Sequence, residues 1–368
     1  MKRKEFKRVF IFLFSLLIFS GAQSFALTEV ELKKEPLTLR SDLPRVEGTT
    51  IFVEKGLVDK VDILFSLSSY NEMTVESGKD FSDKFNFGSI APGFVVHFKD
   101  KKTRAGLLFS VARNFENNDN DFWEKVAGLY LEHDLAPNNH ISVGNRKRLP
   151  VTYEGMLTAN QHPFLVRSQI ARRFGNVESF GVRNTANYKY LDYDIGFYDG
   201  SRFMNKLFNG TEFIGMVQFK PLAYFNDKYG SLKIGGSVDT GNSEGSFNVF
   251  SANALYQYKK LYFDFEYAHA NGYNRGLPVY SDKYDGFYTT LGYNITDKLQ
   301  VLGRYDYLKN QSGGKESREY SAGLTYSVRP GLNLLANYVF VDSDYENNCQ
   351  HKIYLGTRFD LGDFVNNL

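Results

Sequence analysis

The chain has 368 residues with 44 Lys and Arg against 42 Asp and Glu, and 33 Phe and 25 Tyr bring its aromatic content to 16%. A formal charge of +2 leaves no basic surplus for a nucleic-acid partner, and the lone cysteine, Cys349, excludes an internal disulfide. Six scattered histidines lack metal-ligand spacing, and no phosphate loop, dinucleotide fingerprint or convergent Ser/His set stands out, so neither a cofactor nor an enzyme is expected.

At the amino terminus, Lys2, Arg3, Lys4, Lys7 and Arg8 precede an apolar run from Val9 to Phe19, and small Ser24 and Ala26 bracket Phe25. This predicts a secretory signal peptide over residues 1–26. The apolar run is shorter than the roughly 20 residues that a spanning helix needs. Cleavage leaves 39 basic and 41 acidic side chains, a formal charge of −2. Residues 27–60, with Pro36, Pro44 and mixed charge, read as a periplasmic lead-in, although Thr50 to Val53 has the makings of a strand.

From residue 61 to 368 apolar and polar residues alternate in strand-length segments. In one of them Leu261, Phe263, Phe265 and Tyr267 share a face, and Tyr262, Asp264, Glu266 and Ala268 share the other. Sixteen strands are expected, at 61–70, 90–98, 103–113, 122–132, 139–146, 179–189, 190–199, 212–221, 230–239, 246–258, 260–270, 284–293, 298–308, 317–328, 332–342 and 350–361. Eighteen is the alternative count. Connections after even-numbered strands are short, as at Lys259-Lys260, and those after odd-numbered strands are longer and polar, as at Asn71 to Ser89. That parity, with one greasy and one wet face, predicts an all-β fold: a transmembrane antiparallel β-barrel in the cell outer membrane, in contact with its lipid.

The longest interruption, loop 147–178, follows the fifth strand. Between Gly144 and Lys189 stand Arg146, Lys147, Arg148, Arg167, Arg172, Arg173, Arg183 and Lys189 against only Glu154 and Glu178, a net +6. Strand periodicity directs Arg183, Lys189 and, from the third strand, Arg104 into the lumen. These nine cations are the candidate anion-binding and pore-lining residues, because guanidinium and ammonium groups lower the barrier for an anion in a narrow pore. The bland alternative pairs them with lipopolysaccharide or with lumen acids such as Asp192, Asp194, Asp264, Glu266 and Asp306.

The run Val143-Gly144-Asn145-Arg146 through Leu149-Pro150 and Glu154, then Phe164-Leu165-Val166-Arg167-Ser168, Phe180-Gly181-Val182-Arg183 and Gly196-Phe197-Tyr198-Asp199-Gly200-Ser201, resembles the phosphate-selective porin O and P family. The resemblance is clearest across 140–201 and implies a sixteen-stranded, usually trimeric outer-membrane channel with an arginine-lined pore. Arg146, Arg167 and Arg183 occupy the matching segments. The expected function is a passive porin for small hydrophilic solutes that prefers anions such as phosphate. The alternatives are a general non-selective porin and a plugged structural or adhesive barrel. Loop 147–178 discriminates: folded inward it shapes a pore, and folded outward it presents a binding surface.

Overall fold

A computed structural model of the chain describes residues 46, 47, 49–76, 81–110, 126–147, 149–158, 161, 163–175, 177–200, 210–225, 228–243, 245–274, 277–345 and 349–361. The expected signal peptide and most of the lead-in lie outside these residues. Two short strands, β1 (Val46–Glu47) and β2 (Thr50–Phe52), come first. Sixteen more follow: β3 (Val58–Glu76), β4 (Ser82–Phe98), β5 (Thr103–Phe109), β6 (Val126–Ala136), β7 (Asn139–Lys147), β8 (Glu178–Asn187), β9 (Leu191–Tyr198), β10 (Thr211–Phe219), β11 (Ser231–Asn242), β12 (Ser246–Tyr258), β13 (Leu261–Asn274), β14 (Leu277–Asn294), β15 (Leu299–Asn310), β16 (Lys315–Arg329), β17 (Leu332–Ser343) and β18 (Gln350–Asp360).

From β3 to β18 each strand pairs antiparallel with the next, and β18 returns to β3 in the register Gln350↔Glu76 to Asp360↔Ser66. The result is a closed sixteen-stranded barrel with no exposed edge, so the expected count is the observed one. β2 pairs outside this cycle, with the start of β3. Each expected strand has one counterpart, and the misjudgements are at the ends. The stretch from Asn71 to Ser89, read as a loop, is mostly strand, since β3 runs to Glu76 and β4 starts at Ser82. Its polar residues mimic loop composition, yet their backbones continue the ladders to β4 and β18. The tight turns use left-handed backbone at Asn138 (φ 62°) and Lys259 (φ 51°).

Side chains follow the predicted alternation. Phe197, Phe219, Phe250 and Leu291 point outward and are exposed, as lipid-facing residues of a barrel are. On β13, Asp264, Glu266 and Ala268 point inward and are fully buried, while Leu261 and Tyr267 are exposed. Burial of a barrel's inward face requires something inside it.

A membrane-crossing barrel strand uses about ten residues, which puts Phe265 near the midplane portion of β13. Phe265→Arg is expected to cost roughly 2–4 kcal/mol in urea unfolding from lipid vesicles. Gln300→Arg, inward-facing at the barrel mouth next to the short turn before β15, is expected to change stability little. Equal losses at the two positions would mean that the faces are assigned wrongly.

Candidate functional site

What fills the barrel is the segment after β7. Leu149, Val151, Ile170 and Phe174 are completely buried among the inward residues Ile214, Phe247, Tyr273, Tyr284, Tyr288 and Leu308. The loop therefore folds inward and covers the wall formed by β10 to β15. Two short helices shape it, α1 (Tyr153–Met156) and α2 (Gln169–Arg173). Thr152 and Ser168 cap them, accepting from Gly155 N at 3.1 Å and Ala171 N at 3.3 Å. Small residues on the wall provide sockets: a Cβ on Gly286 would lie 2.6 Å from Ile170 Cγ2, and one on Gly323 would lie 2.9 Å from Phe164 Cε1.

Charged and polar side chains of the wall hold the loop's backbone. Glu266 accepts from Tyr153 N at 2.5 Å and Glu154 N at 3.2 Å, Asp306 accepts from Gln169 N at 2.7 Å, and Asn337 accepts from Leu165 N at 2.7 Å. At the far side Arg358 donates to the Phe164 carbonyl. The centre of this network is an ion pair with almost no solvent exposure: Arg304 Nη2 donates to Glu154 Oε1 at 2.7 Å, and Ser168 N donates to Glu154 Oε2 at 2.7 Å. The Arg304 guanidinium also lies 4.5 Å from the Phe164 ring centroid. Burial alone would raise the Glu154 carboxyl, but Arg304 and the hydrogen bonds from Ser168 outweigh it and hold the group below its ordinary 4.5.

The opposite half of the lumen stays wet. Arg104, Asp134, His97, Glu72 and Lys352 point inward from β3 to β6 and from β18, with side chains 26–29% exposed, against 0–2% for the Glu154–Arg304 pair. The passage is therefore eccentric, with the loop against β10 to β18 on one side and β3 to β9 on the other.

The nine candidate cations separate in this geometry. Arg104 points into the passage, where its Nε donates to Glu132 at 2.5 Å and its Nη1 lies 3.2 Å from Asp134. Arg183 also points inward and forms a two-armed pair with Asp194. Arg172, at the end of α2, reaches both oxygens of Glu319 at 2.6 and 2.7 Å. Arg167 turns into the loop itself and donates to the carbonyls of Glu154, Gly155 and Leu157 at 2.5–2.7 Å. Arg173 lies over the rings of Tyr284 and Tyr345, 5.8 and 5.9 Å from their centroids. Arg146 and Lys147 lie on β7, but their side chains, and all of Arg148, fall outside the described residues.

Lys189 is a correction. β8 ends at Asn187, and Lys189 is an exposed residue of the turn into β9, 5.1 Å from the Tyr190 ring centroid, and not a lumen residue. The period of two cannot be counted through a turn, because the chain leaves the sheet there.

Sequence reasoning missed Arg304, Arg358, Lys352 and Glu319. Alternation alone puts all four in the lumen, as it does many other charges. The inward glycines Gly286 and Gly323 are the available signal, since they mark where something must approach the wall.

Removing one partner of a buried pair strands the other charge, so Glu154→Gln and Arg304→Met should each cost about 3–5 kcal/mol, and the double variant should lose clearly less than their sum. Urea unfolding of the four proteins checks this. Because the Glu154 pKa is depressed, its stabilisation is complete above about pH 4.5 and is lost as pH falls through the lowered value. The stability gap between wild type and Glu154→Gln should therefore narrow below pH 4.5, and a gap that widens on acidification would contradict the assignment.

Residues 207–360 match the family model described as phosphate-selective porin O and P. Comparison with curated proteins finds no match. Among solved structures the chain is similar to the loop L8 deletion mutant of OmpT, an outer membrane protein of Vibrio cholerae, at 13% identity and TM-score 0.59, covering 82% of this chain and 99% of that one. It is similar to an anion-selective porin from Comamonas acidovorans at 9% identity and TM-score 0.57, with 82% and 99% covered. The outer membrane channel DcaP of Acinetobacter baumannii aligns at 10% identity and TM-score 0.58, with 86% and 100% covered. At such identities these likenesses speak for the fold. The chain is thus a closed sixteen-stranded barrel with the fold of outer-membrane porins, and its residues 207–360 are similar to the phosphate-selective porin O and P family.

Proposed function

We propose that this barrel is a passive diffusion channel for small hydrophilic solutes with weak charge preference, its passage narrowed by the inward loop. One observation carries the reading: along the passage, cations meet carboxylates, as Arg104 with Glu132, Arg183 with Asp194, Lys233 with Asp192 and Arg172 with Glu319. Paired charges present a much smaller net field to a passing ion than the same cations alone would. The polar contacts of the loop run to the wall, which favours a constriction over a surface-displayed binding loop.

A preference for anions, phosphate among them, is the second reading. The family description favours it, and so does the grouping of Arg167, Arg304 and Arg358 near Glu154 in the loop. Assembly as a homotrimer in outer-membrane lipid belongs to the same proposal. One of the similar structures is a trimer form of OmpT.

In a planar bilayer under a salt gradient, the wild-type reversal potential is expected to stay near zero. Glu319→Gln should move it toward anion preference and Arg172→Glu toward cation preference, since each unpairs one charge at the passage. A strongly anion-selective wild type with phosphate-sensitive chloride current would favour the second reading.

A further inference from the structure

At the end of the barrel that carries the short turns, the wall and the inward loop border a basin of about 220 Å³. Liquid water takes about 30 Å³ a molecule, so this is room for roughly seven waters, the scale of one monosaccharide. Wall residues line it in directly opposed pairs, Gln257 with Tyr262, Gln300 with Thr325 and Asn333 with Arg358. Gln161 reaches it from the loop. Arg358 is the one charged residue among the described lining residues; it is 4% exposed and donates to the Phe164 carbonyl in the loop.

We infer that this basin is a subsite for uncharged polyhydroxy solutes, hexoses and polyols of similar size, held chiefly by Gln300, Thr325 and Asn333. The inference rests on the channel reading and names a solute class for it. Carboxamides both donate and accept, and so does every hydroxyl of a sugar, so such a solute replaces the displaced water bond for bond. An apolar solute would displace the same water and return nothing. A cation would meet Arg358 and no carboxylate, and an anion would find one guanidinium that is already engaged and nearly buried.

The polar groups are available. Among the described residues no hydrogen bond engages the carboxamides of Gln257, Gln300 and Asn333, and Thr325 Oγ1 is buried without a partner. Gln161 Oε1 accepts from Thr158 N at 2.8 Å, which leaves its NH₂ group to donate. Tyr262 donates its hydroxyl proton to Asp264 at 3.1 Å, which leaves the oxygen to accept. Neighbouring strands are about 4.8 Å apart, so Gln300 and Asn333, two strands apart with Thr325 on the strand between, rise from backbones roughly 10 Å from each other. Two amide side chains reaching across that span leave a gap that one pyranose ring bridges.

The test is saturation-transfer NMR on the detergent-folded full barrel with glucose and triethylene glycol as probes and inorganic phosphate as competitor, run beside single-channel recording. Glucose should show saturable binding that phosphate does not displace, and triethylene glycol, with few hydroxyls, should bind about tenfold more weakly or not at all. Gln300→Leu and Asn333→Leu should each weaken glucose about tenfold, whereas Lys309→Ala, on the outer face of β15, should not. Heat-modifiable gel mobility verifies that each variant is folded. Displacement of glucose by phosphate, equal binding of triethylene glycol, undiminished glucose binding in the two Leu variants, or a conducting channel to which glucose does not bind would each overturn the polyol site. Saturable glucose binding without conductance would support the site and overturn the channel reading instead.

Discussion

The pairing of β18 with β3 is the constraint on which the rest of this structure depends. Lipid offers no partner for a backbone N–H or C=O, so a sheet that crosses a membrane must close on itself. The register Gln350↔Glu76 to Asp360↔Ser66 does this over eleven residue pairs. Closure with sixteen strands also creates a problem that smaller barrels avoid, because wall side chains alone do not fill so wide an interior. The segment between β7 and β8 meets that need by folding inside.

Holding a polypeptide segment inside a barrel takes more than apolar contact, since its own backbone groups need partners once water is displaced. The wall supplies them with acids. Glu266 takes the first two N–H groups of α1, and Asp306 takes the first of α2. Both acids therefore bind helix N-termini, where negative charge is favoured. Glu154 extends the same logic within the loop, reaching from α1 to the N–H of Ser168 before α2 and outward to Arg304. Acids that a lumen count would offer to solutes are thus occupied in positioning the constriction.

Much of the barrel was readable from sequence, because a period of two and loop parity are local signals that repeat sixteen times. The β13 alternation, with Phe265 outward and Glu266 inward, needed nothing beyond adjacent residues. Strand ends were less readable: Asn71 and Glu72 look like loop residues, yet they continue β3, where polar composition does not separate strand from turn. The candidate site was readable only in part. Arg104 and Arg183 were directed inward correctly, and so was the importance of loop 147–178. Which partner each arginine takes was hidden, because Glu319 is 147 positions from Arg172 and Arg304 is 150 positions from Glu154. Such pairs are set by how the loop crosses the lumen, a tertiary fact with no short-range trace.

The same point limits what a charge count can say about selectivity. The window from Gly144 to Lys189 carries a net +6 in sequence, yet Arg167 spends its donors on loop carbonyls, Arg172 meets Glu319 and Arg183 meets Asp194. An ion in the passage responds to the field left after such pairing, and a pair presents mainly a dipole. A dipole acts strongly only at close range, so it discriminates by the arrangement of charge on a solute more than by its sign. A wall of matched pairs is for that reason better suited to sorting polar solutes by shape and charge separation than to excluding one class of ion.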